Sequence, residues 1–373
     1  MNKLNLNIPI NSLGYGVVGY NIWKSLSKSV DTALFNIGNI TPPCKTSEEE
    51  VSLIKKDIKK QSDFEAELPT LKVWHENQLA ERIGKGKYFA FPFFEVNKFD
   101  NRRKSHLASA DEIIVASEWA KDIVMDQLYM SPNGHIYLDA DTKVHVVPCG
   151  VDRNIFNERL NKPSRSKCVF FNCGKWEIRK GHDILYKAFK DAFPFNPDVE
   201  LWMMTENPFL QPQEKTHWES LYQESRVKLI PRVQYQEQLA EIISQTFCGV
   251  FPSRAEGWNL ELLEMMAMGK HIITTNYSAH TQFCTKENSK LLQITEEEPM
   301  YDGKWFLGDD GTWASINEDC YQQLVYYLRS IYEDWKVDPD LINYEGLKTS
   351  KKLSWENTTN KLSNIIFELG ESE

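Results

Sequence analysis

Residues 249–269, GVFPSRAEGWNLELLEMMAMG, hold in one stretch the local pattern from which the fold follows. The stretch opens on a short apolar run of strand length, 249–251, and passes through a polar loop. It then becomes a helix over 260–268, which Gly269 stops. The β-branched run HIITT at 271–275 follows as the next strand. Strand, loop, helix and strand in this order form the repeating unit of a parallel sheet covered by helices.

The same alternation continues outward. Strands are expected at 167–172, 200–205 and 227–230, with helices at 181–189 and 236–244. Further upstream the pattern predicts strands at 5–10, 32–37, 71–74, 88–94, 112–116 and 143–147. Helices fall at 16–28, 48–61 and 117–129, the last with Ser117 as a cap. Between the two series runs PCGVDRNIFNERLNKPSRS, a polar linker from Pro148. The prediction is an α/β protein of two Rossmann-like, doubly wound domains, 1–160 and 161–349, facing a central cleft. An amphipathic helix at about 350–373 returns to the first domain. Ligands of such folds bind beyond the carboxyl ends of the strands.

Composition narrows the class. The 373 residues include 43 Lys+Arg and 53 Asp+Glu, a net charge of −10, with 41% hydrophobic and 12% aromatic residues. That balance builds a core and excludes a disordered chain. It argues against a general nucleic-acid coat protein while leaving room for a local basic groove. No apolar run is long enough to span a membrane, and MNKLNLNIPINSLGYG lacks the apolar centre of a signal peptide. The seven cysteines are scattered, odd in number and without a C-x-x-C pair. They read as reduced thiols of a cytoplasmic protein, several of them core residues, and no metal-ligand spacing appears.

Four segments carry chemistry. In the opening stretch Glu256 and Glu264 stand eight apart. Gly257, Trp258 and Asn259 bring backbone N–H groups to a helix N-terminus, an anion site. Glu264 lies among Leu262, Leu263, Met265 and Met266, where an ionised carboxylate needs strong hydrogen bonds or a face turned to water. A ribose hydroxyl pair would satisfy it. In CGKWEIRKGH (173–182) Lys175, Arg179 and Lys180 follow a strand and precede a helix, as in a phosphate site. GYGVVG (14–19) has the spacing of a dinucleotide fingerprint, but the second strand, ALFNIGN, ends without the acid that holds a ribose. It reads as a turn admitting a ligand to the backbone, or as tight packing. His75, in WHEN after the strand at 71–74, is placed to contact substrate or to act as a base; the alternative is a structural role.

Together these segments resemble the retaining glycosyltransferases of family four, which have the GT-B fold and an E-x7-E motif. HVVPCGVDRNIF is similar to the stretch closing the family's N-terminal domain, and FFNCGKWEIRKGHDILYKAF to the unit that grips the donor diphosphate. ADEIIVASEWAKDIV and HIITTNYSAHTQFC also fit in order. The resemblance implies that Glu256 contacts hydroxyls of the donor sugar, and that Glu264 binds the nucleotide ribose. Backbone groups of Gly257, Trp258, Asn259 and Leu260 would contact sugar and phosphates. Lys180 matches the diphosphate lysine. Lys175 stands where the family commonly has Arg, keeping the charge but losing the bidentate fork. Gly16 would approach the diphosphate or acceptor, and His75 the transferred sugar.

The resemblance further implies transfer from a nucleotide-diphosphate sugar to an acceptor hydroxyl with retention, without cofactor or metal. The acceptor is open: a glycan, saccharide or lipid-linked chain, or, alternatively, a modified base in DNA. The basic run Asn101-Arg102-Arg103-Lys104-Ser105-His106 offers cations to a lipid or nucleic-acid phosphate, with possible peripheral membrane contact, or forms a solvated helix start. Rival classes are a nicotinamide oxidoreductase built on GYGVVG and a catalytically dead binding protein of the same fold.

Overall fold

A computed structural model of the chain describes residues 1–129, 137–138 and 142–369. The chain forms two compact units. One comprises Met1–Gly150, Gln234–Glu237 and Leu353–Glu373; the other comprises Val151–Val233 and Gln238–Lys352.

The first unit runs β1 (Asn2–Ile8), α1 (Gly14–Leu26), β2 (Val30–Asn36), α2 (Glu48–Lys59), β3 (Thr70–Val73) and β4 (Tyr88–Phe91). It continues α3 (Asn101–Leu107), β5 (Glu112–Val115), α4 (Glu118–Tyr129) and β6 (Lys143–Val146). The six strands are parallel in the order β2-β1-β3-β4-β5-β6. The chain leaves β1 to one side and resumes on the other at β3. The carboxyl ends of β1 and β3 are therefore this sheet's topological switch point.

The second unit runs β7 (Cys168–Cys173), α5 (His182–Ala192), β8 (Val199–Met204), α6 (Pro212–Leu221), β9 (Val227–Leu229), α7 (Gln236–Ser244) and β10 (Cys248–Phe251). There follow α8 (Leu260–Ala267), β11 (His271–Thr275), β12 (Lys290–Leu292), β13 (Glu297–Tyr301), β14 (Leu307–Ala314), α9 (Glu318–Val337) and α10 (Tyr344–Lys352). The first two residues of α7 group with the first unit. The sheet is parallel in the order β12-β11-β10-β7-β8-β9, with its switch point between β7 and β10. β13 and β14 form a separate antiparallel hairpin. The core includes Phe170, Leu201, Val250 and Ile273 from the strands, Leu185 and Phe189 from α5, and Leu324, Leu328 and Ile331 from α9. Burying each such side chain contributes about 1.5–3 kcal/mol.

The tail breaks where one helix was expected. α10 ends at Lys352, and Ser354 caps α11 (Trp355–Ile366) by accepting from Asn357 N. α11 packs within the first unit: Ser25 Oγ and Thr359 Oγ1 lie 2.7 Å apart, and Thr358 Oγ1 donates to Pro148 O at 2.8 Å. The expected boundary near 160 differs by ten residues, since 151–160 group with the second unit. Residues 370–373 of the expected tail helix lie outside the described residues. Among the described residues no helix is long and apolar enough to cross a membrane. All seven cysteines are free and buried.

Candidate active site

The two loops that leave the β7/β10 switch point carry most of the residues singled out in the second unit. The loop after β7 is pinned by Trp176, which is 3% exposed and stacks on Trp218 with centroids 5.4 Å apart. Its backbone N–H donates to Thr205 O at 2.9 Å. Two glycines then let the loop close. Gly174 has φ +139°, and a Cβ there would lie within 3.0 Å of the Lys180 side chain. Gly181 has φ +73°, and a Cβ would stand 2.3 Å from Pro252 O, so only glycine lets α5 begin against the loop that follows β10.

This close approach brings Lys180 and Glu256 together. Lys180 Nζ donates to Glu256 Oε1 at 2.9 Å, Arg179 Nη1 to Glu256 Oε2 at 2.9 Å, and Ser253 Oγ to Oε1 at 2.8 Å. Arg179 also holds Glu177 Oε2 through Nε and Nη2, at 3.1 and 2.6 Å. Burial pushes the Glu256 carboxyl up, but the Lys180 and Arg179 cations outweigh it and hold the group well below the usual carboxylate range. Burial likewise opposes charge on Lys180, and Glu256 overrides it, so the ammonium stays charged. The geometry thus favours the ionised form of Glu256, held between the Lys180 and Arg179 cations.

Three residues that the sequence reading left without a role build this arrangement. Arg254, buried beside Glu256, donates bidentately to Asp183 at 2.8 and 2.9 Å, to Ile178 O at 2.6 Å and to Glu298 at 2.7 Å. Its backbone N–H reaches Arg179 O at 2.6 Å, tying the two loops together. His182 accepts from Glu177 N at Nδ1 (3.2 Å) and faces Asn172 Oδ1 through Nε2 at 2.9 Å. Asn172 spends its amide N–H on Val250 O, so its oxygen accepts and His182 carries its proton on Nε2. Burial, then Lys180, push the His182 pKa down to about 3. His280 Nε2 lies 2.9 Å from the Asn259 amide nitrogen, and burial pushes its pKa down to about 4. The signal in sequence was weak: a loop arginine and two lone histidines.

The remaining residues of this unit fall as follows. Asn259 caps α8 in a left-handed conformation (φ 82°), accepting from Leu262 N at 3.2 Å. Gly257 and Trp258 are buried in the turn before it, and Leu260 opens the helix half-buried. The Trp258 indole packs at a tilt against Phe283, with centroids 4.8 Å apart, and its buried Nε1 makes no hydrogen bond within the protein. Glu264 is 5% exposed, so it does not face water. The Glu261 and Glu264 carboxylates and Lys180 all act electrostatically on the Cys173 thiol at the end of β7. Lys175 Nζ lies 3.3 Å from Glu177 and 5.3 Å from the Phe209 ring centre.

In the first unit Gly16 and His75 flank the β1/β3 switch point. GYGVVG lies inside α1, which begins at Gly14, and tight packing accounts for two of its glycines. A Cβ on Gly16 would meet Asn11 at 2.3 Å and one on Gly19 would meet Pro9 O at 2.1 Å. The exposed His75 ring packs 4.5 Å from Tyr15 and 5.0 Å from Trp74. The basic run at 101–106 is mostly spent internally. Arg103 pairs with the buried Glu76 at 3.0 Å, Lys104 is buried, and His106 Nδ1 accepts from Ala80 N. Among the described residues no group of three or more His, Cys, Asp and Glu is arranged to hold a metal ion.

Comparison with known proteins places these loops. Residues 167–300 match the family model described as glycosyl transferases group 1. No curated protein matches the chain by sequence. The solved structures it resembles include sucrose-phosphate synthase from Thermosynechococcus elongatus (14% identity, TM-score 0.67, 99% of each chain covered). Anabaena Alr3699/HepE in complex with UDP and glucose matches at 14% identity and TM-score 0.68, over 99% of this chain and 100% of that one. An α,α-trehalose 6-phosphate synthase from Burkholderia multivorans matches at 9% identity and TM-score 0.69, with 99% of each covered. The two parallel six-stranded sheets with their helices are the GT-B fold.

Proposed function

We propose that the chain is a retaining glycosyltransferase of the family-four type, moving a hexosyl or pentosyl group from a nucleotide-diphosphate sugar to an acceptor hydroxyl. The match over 167–300 and the GT-B fold support the transferase class. The UDP in the Anabaena structure supports a nucleotide donor. The observation that carries the reading is Glu256, a carboxylate kept ionised at the switch point beside the N-terminus of α8.

An anion so firmly held neither gives nor takes a proton near neutrality. Its chemistry is to accept hydrogen bonds, and a sugar's hydroxyls supply them. Its engagement with Lys180, Arg179 and Ser253 also makes it a poor nucleophile. A same-face, substrate-assisted displacement therefore fits better than a covalent glycosyl-enzyme. Departure of the diphosphate builds negative charge. Lys180, Lys175 and the α8 N-terminus with Gly257, Trp258, Asn259 and Leu260 are assigned to stabilise it without a metal ion. Glu264, buried on α8, is assigned to the ribose, whose hydroxyls would donate to its carboxylate. In the first unit Gly16 is assigned to the diphosphate or the acceptor, and His75 to the transferred sugar. The internal use of Arg103, Lys104 and His106 favours a saccharide acceptor over DNA or a lipid phosphate.

The test is turnover of UDP-, GDP-, ADP- and dTDP-sugars, with the product weighed by mass spectrometry and its anomer read by NMR. Transfer with retention is expected, unaffected by excess EDTA. Glu256→Ala and Lys180→Ala each lose about 100- to 1,000-fold in rate. Near-normal transfer by both variants sinks the site, an inverted anomer sinks retention, and loss in EDTA sinks the metal-free route.

A further inference from the structure

The β13–β14 hairpin lies outside both parallel sheets and holds its aromatic residues in opposite ways. At its base Trp313 is 1% exposed and donates to Glu298, which Arg254 also grips. At its tip Tyr301 is 61%, Trp305 51% and Leu307 65% exposed. Phe209, on the segment before α6, is 48% exposed and meets Trp305 edge-on, with centroids 6.4 Å apart. Large apolar side chains gathered on a surface mark a binding site more often than chance.

The tip is also built to stay in place. Asp302 Oδ1 accepts from the backbone N–H groups of Lys304, Trp305 and Phe306 at 2.8, 2.7 and 2.9 Å. Lys304 Nζ bridges to Glu214 at 2.6 Å and to Phe209 O at 3.1 Å. Rings held out by such a turn lose little freedom on binding. The patch is continuous with the candidate site: Phe209 lies against Lys175 of the loop after β7, and the hairpin base is tied to the loop after β10 through Arg254.

The charge around the tip selects the occupant. At the tip Asp302 and Asp309 stand with Lys304, which is paired with Glu214, and Lys175 lies against Phe209. Charges so interleaved give no one-signed field to draw a membrane or a nucleic acid. A neutral sugar ring suits the tip, because its C–H face packs on an aromatic ring while its hydroxyls donate to nearby carboxylates.

We propose that Tyr301, Trp305 and Phe209 form a platform that holds a neutral glycan chain beside the donor loops. The platform rests on the glycosyltransferase reading only for its purpose, which is to keep an acceptor or product chain near the site. The test is native electrophoresis of the full chain through gels containing soluble starch, dextran or laminarin, with thermal shift by the nucleotide-sugar panel measured in parallel. The wild type should be retarded in at least one gel. Tyr301→Ala/Trp305→Ala should bind about tenfold more weakly, and Trp305→Phe should restore most of the retardation. The nucleotide-sugar shift should be the same in all three proteins. Retardation that depends on Trp305, with no nucleotide-sugar shift in the wild type, upholds the platform and removes the proposed function. The platform is overturned by no retardation in any gel, or by equal retardation of the double variant. It is equally overturned if the double variant instead loses flotation with phosphatidylglycerol vesicles or a concentration-dependent dimer.

Discussion

Replacing Glu256 by Gln removes one charge and almost no volume, so its effect measures the ion cluster directly. In the native protein the carboxylate accepts from Lys180 and Arg179, both at 2.9 Å, and from Ser253 at 2.8 Å, at a position 4% exposed. Glutamine keeps one acceptor oxygen for Lys180 and Ser253 but turns an amide N–H₂ toward the Arg179 fork. Arg179 retains Glu177, so the uncompensated charge is concentrated on Lys180, whose side chain is 10% exposed. Breaking a buried pair from one side costs about 3–5 kcal/mol. For a unit of this size that lowers the melting transition by about 6–20 °C. The assay is calorimetry of the full chain for the wild type, Glu256→Gln, Lys180→Met and the double variant. Because the two single changes leave each other's partner stranded, the double variant should cost at least about 2 kcal/mol less than their sum. A loss below about 1 kcal/mol for Glu256→Gln, or additive costs, would refute the cluster as described.

Two further outcomes follow from the same loops. Gly181→Ala places a Cβ 2.3 Å from Pro252 O at φ +73°, so it should cost at least about 2 kcal/mol in urea unfolding and weaken donor binding; a neutral result contradicts the close approach. His182 and His280 have folded pKa values near 3 and 4, below the unfolded 6.5, so between those values the unfolded chain binds more protons. Stability is then intact above pH 6.5 and falls as the pH drops. Each histidine accounts for about 2 kcal/mol by pH 5, and a urea midpoint unchanged between pH 7 and 5 would contradict their burial as neutral rings.

Much of this was legible in the sequence for a physical reason. Parallel strands buried on both faces, such as CVFFNC and HIITT, leave continuous apolar runs that glycine and helix caps punctuate. The spacing of Glu256 and Glu264 and the lysine loop were readable because loop chemistry lies in consecutive residues. Arg254 and His182 were not, since their roles depend on partners that close only in three dimensions, such as Asp183 with Glu298, and Asn172. The hairpin was missed because EEPMY and LGDDGTWA mix acids and glycines among the aromatics and lack strand alternation. α9 was overlooked despite a readable helical stripe at Cys320, Leu324, Leu328, Ile331 and Trp335. GYGVVG was open in sequence: Gly16 and Gly19 let α1 lie close to Asn11 and Pro9 in the loop after β1, a role that motif spacing alone does not distinguish from a ligand turn.

The seven buried cysteines have a consequence for handling the chain. Burial raises the thiols of Cys149, Cys168, Cys173, Cys248 and Cys284, so the thiolate that reacts with oxidants scarcely forms in the native state. Thiol oxidation must therefore enter through opening of the fold. A reductant protects this protein while it folds and adds little once it has folded.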